Sequence, residues 1–196
     1  MARIKSALEL ALERTEGVQG DRSKLDEFEE KQRGRKVYAR LSEDPQLDVP
    51  KALQEASEKN LAWVKEGFFD AVLSNLNLPN EVTDLERLPI LQKGLEAIIK
   101  DRKIGQIFEQ IAQFFQQFLD NRTQMVEAIQ KQFEGKIRKK EEELSRQMGR
   151  RVRVDPAADP EFSQFLRQNL GRLQEQYGQV VDKVREEITE LWQKRK

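Results

Sequence analysis

Two ribbons of apolar residues dominate the chain. In the first, they fall at Ile104, Phe108, Ile111, Phe115, Phe118, Met125, Ile129 and Phe133. In the second, they fall at Phe162, Leu166, Leu170, Leu173, Tyr177, Val180, Val184, Ile188 and Leu191. Steps of three and four keep such residues on one stripe of a helix, and repetition over several turns suggests a coiled-coil seam. Between them lies a segment holding Gly149, Pro156 and Pro160, which no single helix crosses. The pattern therefore predicts a long antiparallel helical hairpin with a tip loop over about 149–159.

Details of the ribbons refine this. After Ile129 the apolar steps become four and four, through Phe133 and Ile137, so the seam drifts there. Beyond Lys136 the stripe thins to Ile137, Leu144 and Met148, so the base of the hairpin is expected to be buried and its far part to project as a thin coil. Asp159, Pro160 and Glu161 form a helix start: a capping acid, proline in the first turn, then another acid. Residues 151–155 alternate, which leaves room for one short strand. Gly171 and Gly178 lie near the second stripe and weaken a helix, so close approach of another backbone is expected there.

The preceding part of the chain reads as shorter helices. Residues 2–16 form an amphipathic helix with Ile4, Ala7, Leu8, Ala11 and Leu12 on one face, either docked on the core or free to enter a partner's groove. Gly17 to Gly20 predicts a turn. The next helix, to about Leu41, has only Leu25, Phe28, Val37, Tyr38 and Leu41 as anchors and is interrupted by Arg33-Gly-Arg-Lys36, so it is expected to be marginal. Pro45 and Pro50 mark a linker over about 42–50. A helix from there to about Leu76 carries Leu53, Trp63, Val64, Phe68, Phe69 and Val72, and the globular core is placed on it. A short helix over about 81–88 and a helix after Pro89 follow, and Lys100-Asp-Arg-Lys103 is either a break or a polar turn. The fold class is all-α, with a helical base over 1–110 and the hairpin over 111–196.

Composition fits long helices with narrow buried stripes. Charged residues make up 36% of the 196 residues and apolar residues 37%, against about 25% charged in an average globular domain. Lys plus Arg and Asp plus Glu stand at 35 each, so attraction to nucleic acid or membrane must come from a local patch. With no Cys and no His, disulfides, thiol nucleophiles, Ser-His-Asp triads and common zinc sites are absent. No signal-peptide run and no membrane span is visible, so a cytoplasmic protein, bacterial in style, is expected. There is no Gly-rich phosphate loop, and Glu141, Glu142 and Glu143 read as a solvated run. No enzymatic activity, cofactor or metal is expected.

Two groups of residues are candidates for interaction. Lys136, Arg138, Lys139, Lys140, Arg146, Arg150, Arg151 and Arg153 gather toward the hairpin tip. They are either a patch for phosphate backbone or an acidic partner, or a solubilising surface whose charges pair locally. No aromatic residue interleaves them, which argues against stacking on single-stranded bases. The aromatic stripe from Phe108 to Phe118, Phe115 included, is core within the chain or at a dimer seam, with a groove for other proteins the lesser reading, and Leu173 of the second ribbon is a candidate for the same seam. The favoured function is a structural or interaction protein, self-associating through helix packing, with an unidentified protein partner and no membrane. The alternative is nucleic-acid or acidic-surface binding through the tip.

Three phrases carry a resemblance. Residues 1–15, opening Met1-Ala-Arg-Ile-Lys-Ser-Ala-Leu-Glu9, together with 107–118 and 152–162, resemble a family of uncharacterised bacterial helical proteins of about this length. The resemblance covers most of the chain, implies no activity and transfers no functional residues. The phrase Val154-Asp-Pro-Ala-Ala-Asp-Pro160 is also similar to one in peripheral-stalk subunits of rotary ATPases, and it is mostly turn chemistry.

Overall fold

The computed structural model describes residues 7–195, with side chains from Arg22 onward. The expected docking face of residues 2–16 lies outside the described side chains. Among the described residues every regular element is helical and there is no strand: α1 (Ala7–Glu43), α2 (Val49–Ala56), α3 (Leu61–Ser74), α4 (Leu88–Ile99), α5 (Lys103–Met148) and α6 (Pro160–Gln193). Single 3-10 turns span Val82–Arg87 and Pro156–Ala158. The chain divides into two compact units, one of residues 1–76 and 89–104, the other of 77–88 and 105–196.

In the first unit, α1 is one continuous helix through both the predicted Gly17–Gly20 turn and the Arg33–Lys36 interruption. At Gly34 the residue is not a break but a close approach. A Cβ there would lie 2.6 Å from the Phe68 amide nitrogen. Reciprocally, a Cβ on Gly67 would lie 2.6 Å from the Lys31 carbonyl carbon. Two glycines thus let the α1 and α3 backbones touch where any side chain would hold them apart. Val37 and Leu41 of α1 are buried, as are Val64, Phe68 and Val72 of α3. Leu25 and Phe28, expected as anchors, are instead exposed.

The crossing is ringed by charge. Lys31 Nζ bridges Glu27 at 2.6 Å and Glu66 at 3.0 Å, and these hydrogen bonds raise its pKa. Arg33 pairs with Glu58, which holds that carboxyl below its ordinary value. Glu30 is 1% exposed, yet its carboxylate accepts from the backbone amides of Glu58 at 3.3 Å and Asn60 at 3.2 Å, and from Ser57 Oγ at 3.4 Å.

Those bonds explain a second correction. The helix predicted from Pro50 to about Leu76 is two helices, broken at residues 57–60. Asn60 caps α3 by accepting from the Ala62 amide at 2.9 Å. The broken segment's amides need acceptors, and Glu30 supplies them from α1. The Pro45–Pro50 linker is as expected, with Asp48 capping α2 through the Lys51 amide. The element expected over 81–88 is a 3-10 turn over Val82–Arg87, tightened by Asp84, whose carboxylate accepts from the Asn80 amide at 2.6 Å. At Lys100 the backbone turns left-handed, φ 53°, so the open question at residues 100–103 resolves as a break.

The second unit is built on α5 and α6. The 46 residues of α5 span on the order of 70 Å. Contacts between α5 and α6 run in antiparallel order. Phe118 meets Tyr177 with ring centroids 5.1 Å apart, and Phe133 meets Phe162 edge-on at 5.5 Å. Asn121 donates to the Tyr177 hydroxyl at 2.6 Å. Leu78 and Leu85 pack against Phe118, Leu119 and Leu173 at one end of the pair. Arg122 donates to the Asn80 carbonyl, and Arg185 to Asn77 Oδ1 at 2.6 Å, so residues 77–88 are held at this end by both long helices.

Candidate functional site

The tip is where α5 gives way to α6, and its backbone is tied at several points. Gly149 adopts φ 63°, the left-handed conformation that ends a helix and favours glycine. The Val152 amide then donates to Ser145 Oγ at 2.9 Å, and the Val154 amide to Glu141 Oε1 at 2.9 Å. Both acceptors belong to α5, so the loop is fastened back onto the helix it leaves. Val154 also packs against the cluster of Ile129, Phe133, Ile137 and Phe162. No strand forms at 151–155, because the amides of Val152 and Val154 are spent on side chains and not on a neighbouring strand.

Asp155 and Asp159 finish the connection. Asp155 Oδ1 accepts from the Ala157 amide at 2.9 Å and caps the 3-10 turn. Asp159 Oδ1 accepts from Glu161 at 3.0 Å and Phe162 at 3.2 Å, capping α6, while Oδ2 accepts from Lys140 Nζ at 3.0 Å. The Lys140 ammonium, then the Phe162 amide, hold this buried carboxyl below its ordinary range. The sequence motif foretold the cap; the reach of Lys140 across to it was not foreseen.

The candidate basic residues divide into two groups. Lys136 pairs with Glu161, Arg138 with Glu142 at 3.7 Å, and Lys140 with Asp159. These are structural charges. Lys139, Arg146, Arg150, Arg151 and Arg153 are exposed and form no ion pair among the described residues. Exposure alternates from Arg151 to Asp155, with Val152 and Val154 half-buried between exposed neighbours. That is the pattern of an extended chain, and it turns Arg151 and Arg153 to the same side.

The apolar candidates lie elsewhere. Phe115, Phe118 and Leu173 are buried, with Phe118 and Leu173 in one cluster. In this structure the stripe is core. Gly171 and Gly178 are open: a Cβ on either would meet nothing within 4 Å, so the expected backbone approach is not made within the chain. An open cleft of about 450 Å³ lies beside Gly171, with Phe118, Phe162, Leu166 and Leu170 as apolar walls and Arg122 and Arg167 as its charges. A second groove, of about 590 Å³, runs past Glu127, Lys131, Glu134, Ile137 and Val154. Among the described residues no group of His, Cys, Asp or Glu is placed to hold a metal ion, and no helix is long and apolar enough to cross a membrane.

Residues 50–190 match the model of DUF6657, a family of unknown function. No curated protein and no solved structure matches the chain significantly.

Proposed function

We propose that this chain, which belongs to the DUF6657 family of unknown function, is a non-enzymatic interaction protein of the cytoplasm that associates with a second copy of itself through helix packing. The observation that carries this reading is the pair Leu25 and Phe28 on α1, 56% and 58% exposed. Three residues apart, they lie on one side of the helix. Large apolar side chains left together in water favour a cover, at roughly 25 cal/mol per Å² of apolar surface removed. The α5–α6 pair serves in this reading as a coiled-coil-like spine. Its Phe ribbon is occupied within the chain, so association goes through α1.

The test is molar mass against concentration by sedimentation. The expected result is a mass that rises with concentration and returns to the monomer in the Leu25→Asp, Phe28→Asp double variant. A monomer at every concentration, or self-association unchanged by the double variant, rejects the reading.

A further inference from the structure

Residues 144–154 hold four arginines, Arg146, Arg150, Arg151 and Arg153, and no acidic residue. Of the nearby carboxylates, all but Glu143 already hold a partner, and three of them hold a lysine or arginine. Glu141 accepts the Val154 amide, Glu142 faces Arg138, Asp155 caps Ala157, Asp159 holds Lys140, and Glu161 holds Lys136. Glu143, three residues before Arg146, forms no ion pair with it. A surface that serves solubility alone intersperses both signs. Here one sign is concentrated on a loop whose backbone is pinned by the side-chain acceptors Ser145 and Glu141.

From this we infer that the tip binds the phosphate backbone of double-stranded nucleic acid without regard to sequence. Three features select that partner. Four of the five unpaired cations are arginine, Lys139 being the other, and a planar guanidinium grips phosphate through two parallel N–H donors. Arg151 and Arg153 project to one side of an extended segment, on the order of 6.6 Å apart along the chain, about two base-pair rises. Residues 141–161 contain no aromatic side chain to stack on unpaired bases, so a duplex fits better than a single strand. Val152, between the two arginines, and Val154, after them, are half-buried, Val154 against the Phe133 and Phe162 cluster. With the amide hydrogen bonds of Val152 and Val154 they fix the backbone that carries the arginines, so binding has chiefly the side chains to order.

The experiment is fluorescence anisotropy of a labelled duplex of about 20 base pairs, two helical turns, titrated with the full chain between about 25 and 200 mM salt. Four phosphate contacts give a log–log salt slope of roughly −3 to −4. The combined variant Arg146→Gln, Arg150→Gln, Arg151→Gln, Arg153→Gln flattens that slope and weakens low-salt binding at least about tenfold. A control removes the same charge from exposed positions elsewhere: Lys36→Gln, Arg40→Gln, Arg172→Gln, Lys183→Gln. It retains binding, and circular dichroism verifies that both variants are folded. Absence of binding at low salt, or equal loss in the control, overturns the proposal. Tighter binding to phosphatidylserine vesicles or to polyglutamate than to the duplex overturns the assignment to nucleic acid.

Discussion

Lys140 on α5 donates to Asp159 at 3.0 Å, and the other oxygen of the same carboxylate caps α6. One acid therefore starts a helix and ties it to its neighbour. Its pKa is depressed, first by Lys140 and then by the Phe162 amide. A depressed carboxyl contributes stability that is present above its unfolded value, about 3.9, and is lost as pH falls through the lower folded value. Asp159→Asn keeps an oxygen to accept the cap but removes the charge. The variant is expected to melt lower than wild type near pH 7, with the gap closing as pH drops below about 4. Thermal melts across that range check it, and a gap that stays constant contradicts the role given to the charge.

Glycines in this chain are expected to respond with opposite signs. Gly67→Ala drives a Cβ into the Lys31 backbone, at 2.6 Å from its carbonyl carbon. Overpacking of this kind costs about 1–3 kcal/mol and outweighs the roughly 1 kcal/mol gained in helix propensity. Gly171→Ala and Gly178→Ala meet open space, so each is expected to stabilise by about 0.5–1 kcal/mol. Urea denaturation of the three variants reads the signs directly.

Glu30 is the buried acid on which the α2–α3 break depends. Glu30→Ala leaves the Glu58 and Asn60 amides without their acceptor, an expected loss of about 2–3 kcal/mol. Glu30→Gln retains an accepting oxygen and is expected to lose less, about 1 kcal/mol. Hydrogen exchange of the Glu58 and Asn60 amides reports the same change locally: fast in the alanine variant, slower in the glutamine variant. Equal protection in both would show that the carboxylate is not their acceptor.

These residues also mark what the sequence can and cannot reveal. The ribbons of α5 and α6 were legible because steps of three and four need only local geometry, save at Val180, which is exposed while its neighbour Val181 is buried; the Asp159-Pro160-Glu161 cap is likewise local. Glu30 was not legible. It sits among other acids, and its partners lie 28 and 30 residues away. The break at residues 57–60 carries no Pro or Gly, and its one local signal is the capping Asn60. Glycine misled twice, once at Gly17 and Gly20 inside a continuous helix, and once at Gly34, where the signal was packing and not interruption. At the tip, the count of basic residues was plain, but which of them are neutralised depends on partners across the loop. Lys140 and Lys136 are engaged; Arg150, Arg151 and Arg153 are not.

The most direct test of the account concerns where the Phe ribbons are spent. Phe133 and Phe162 meet edge-on within one chain, centroids 5.5 Å apart. Isotope-filtered nuclear Overhauser measurements on a mixture of labelled and unlabelled chains separate contacts within a chain from contacts between chains. The account predicts a cross-peak between these two rings within the labelled chain and none in the interchain spectrum. A Phe133–Phe162 contact seen only between chains would make the ribbon itself the interface and contradict the assignment of association to α1.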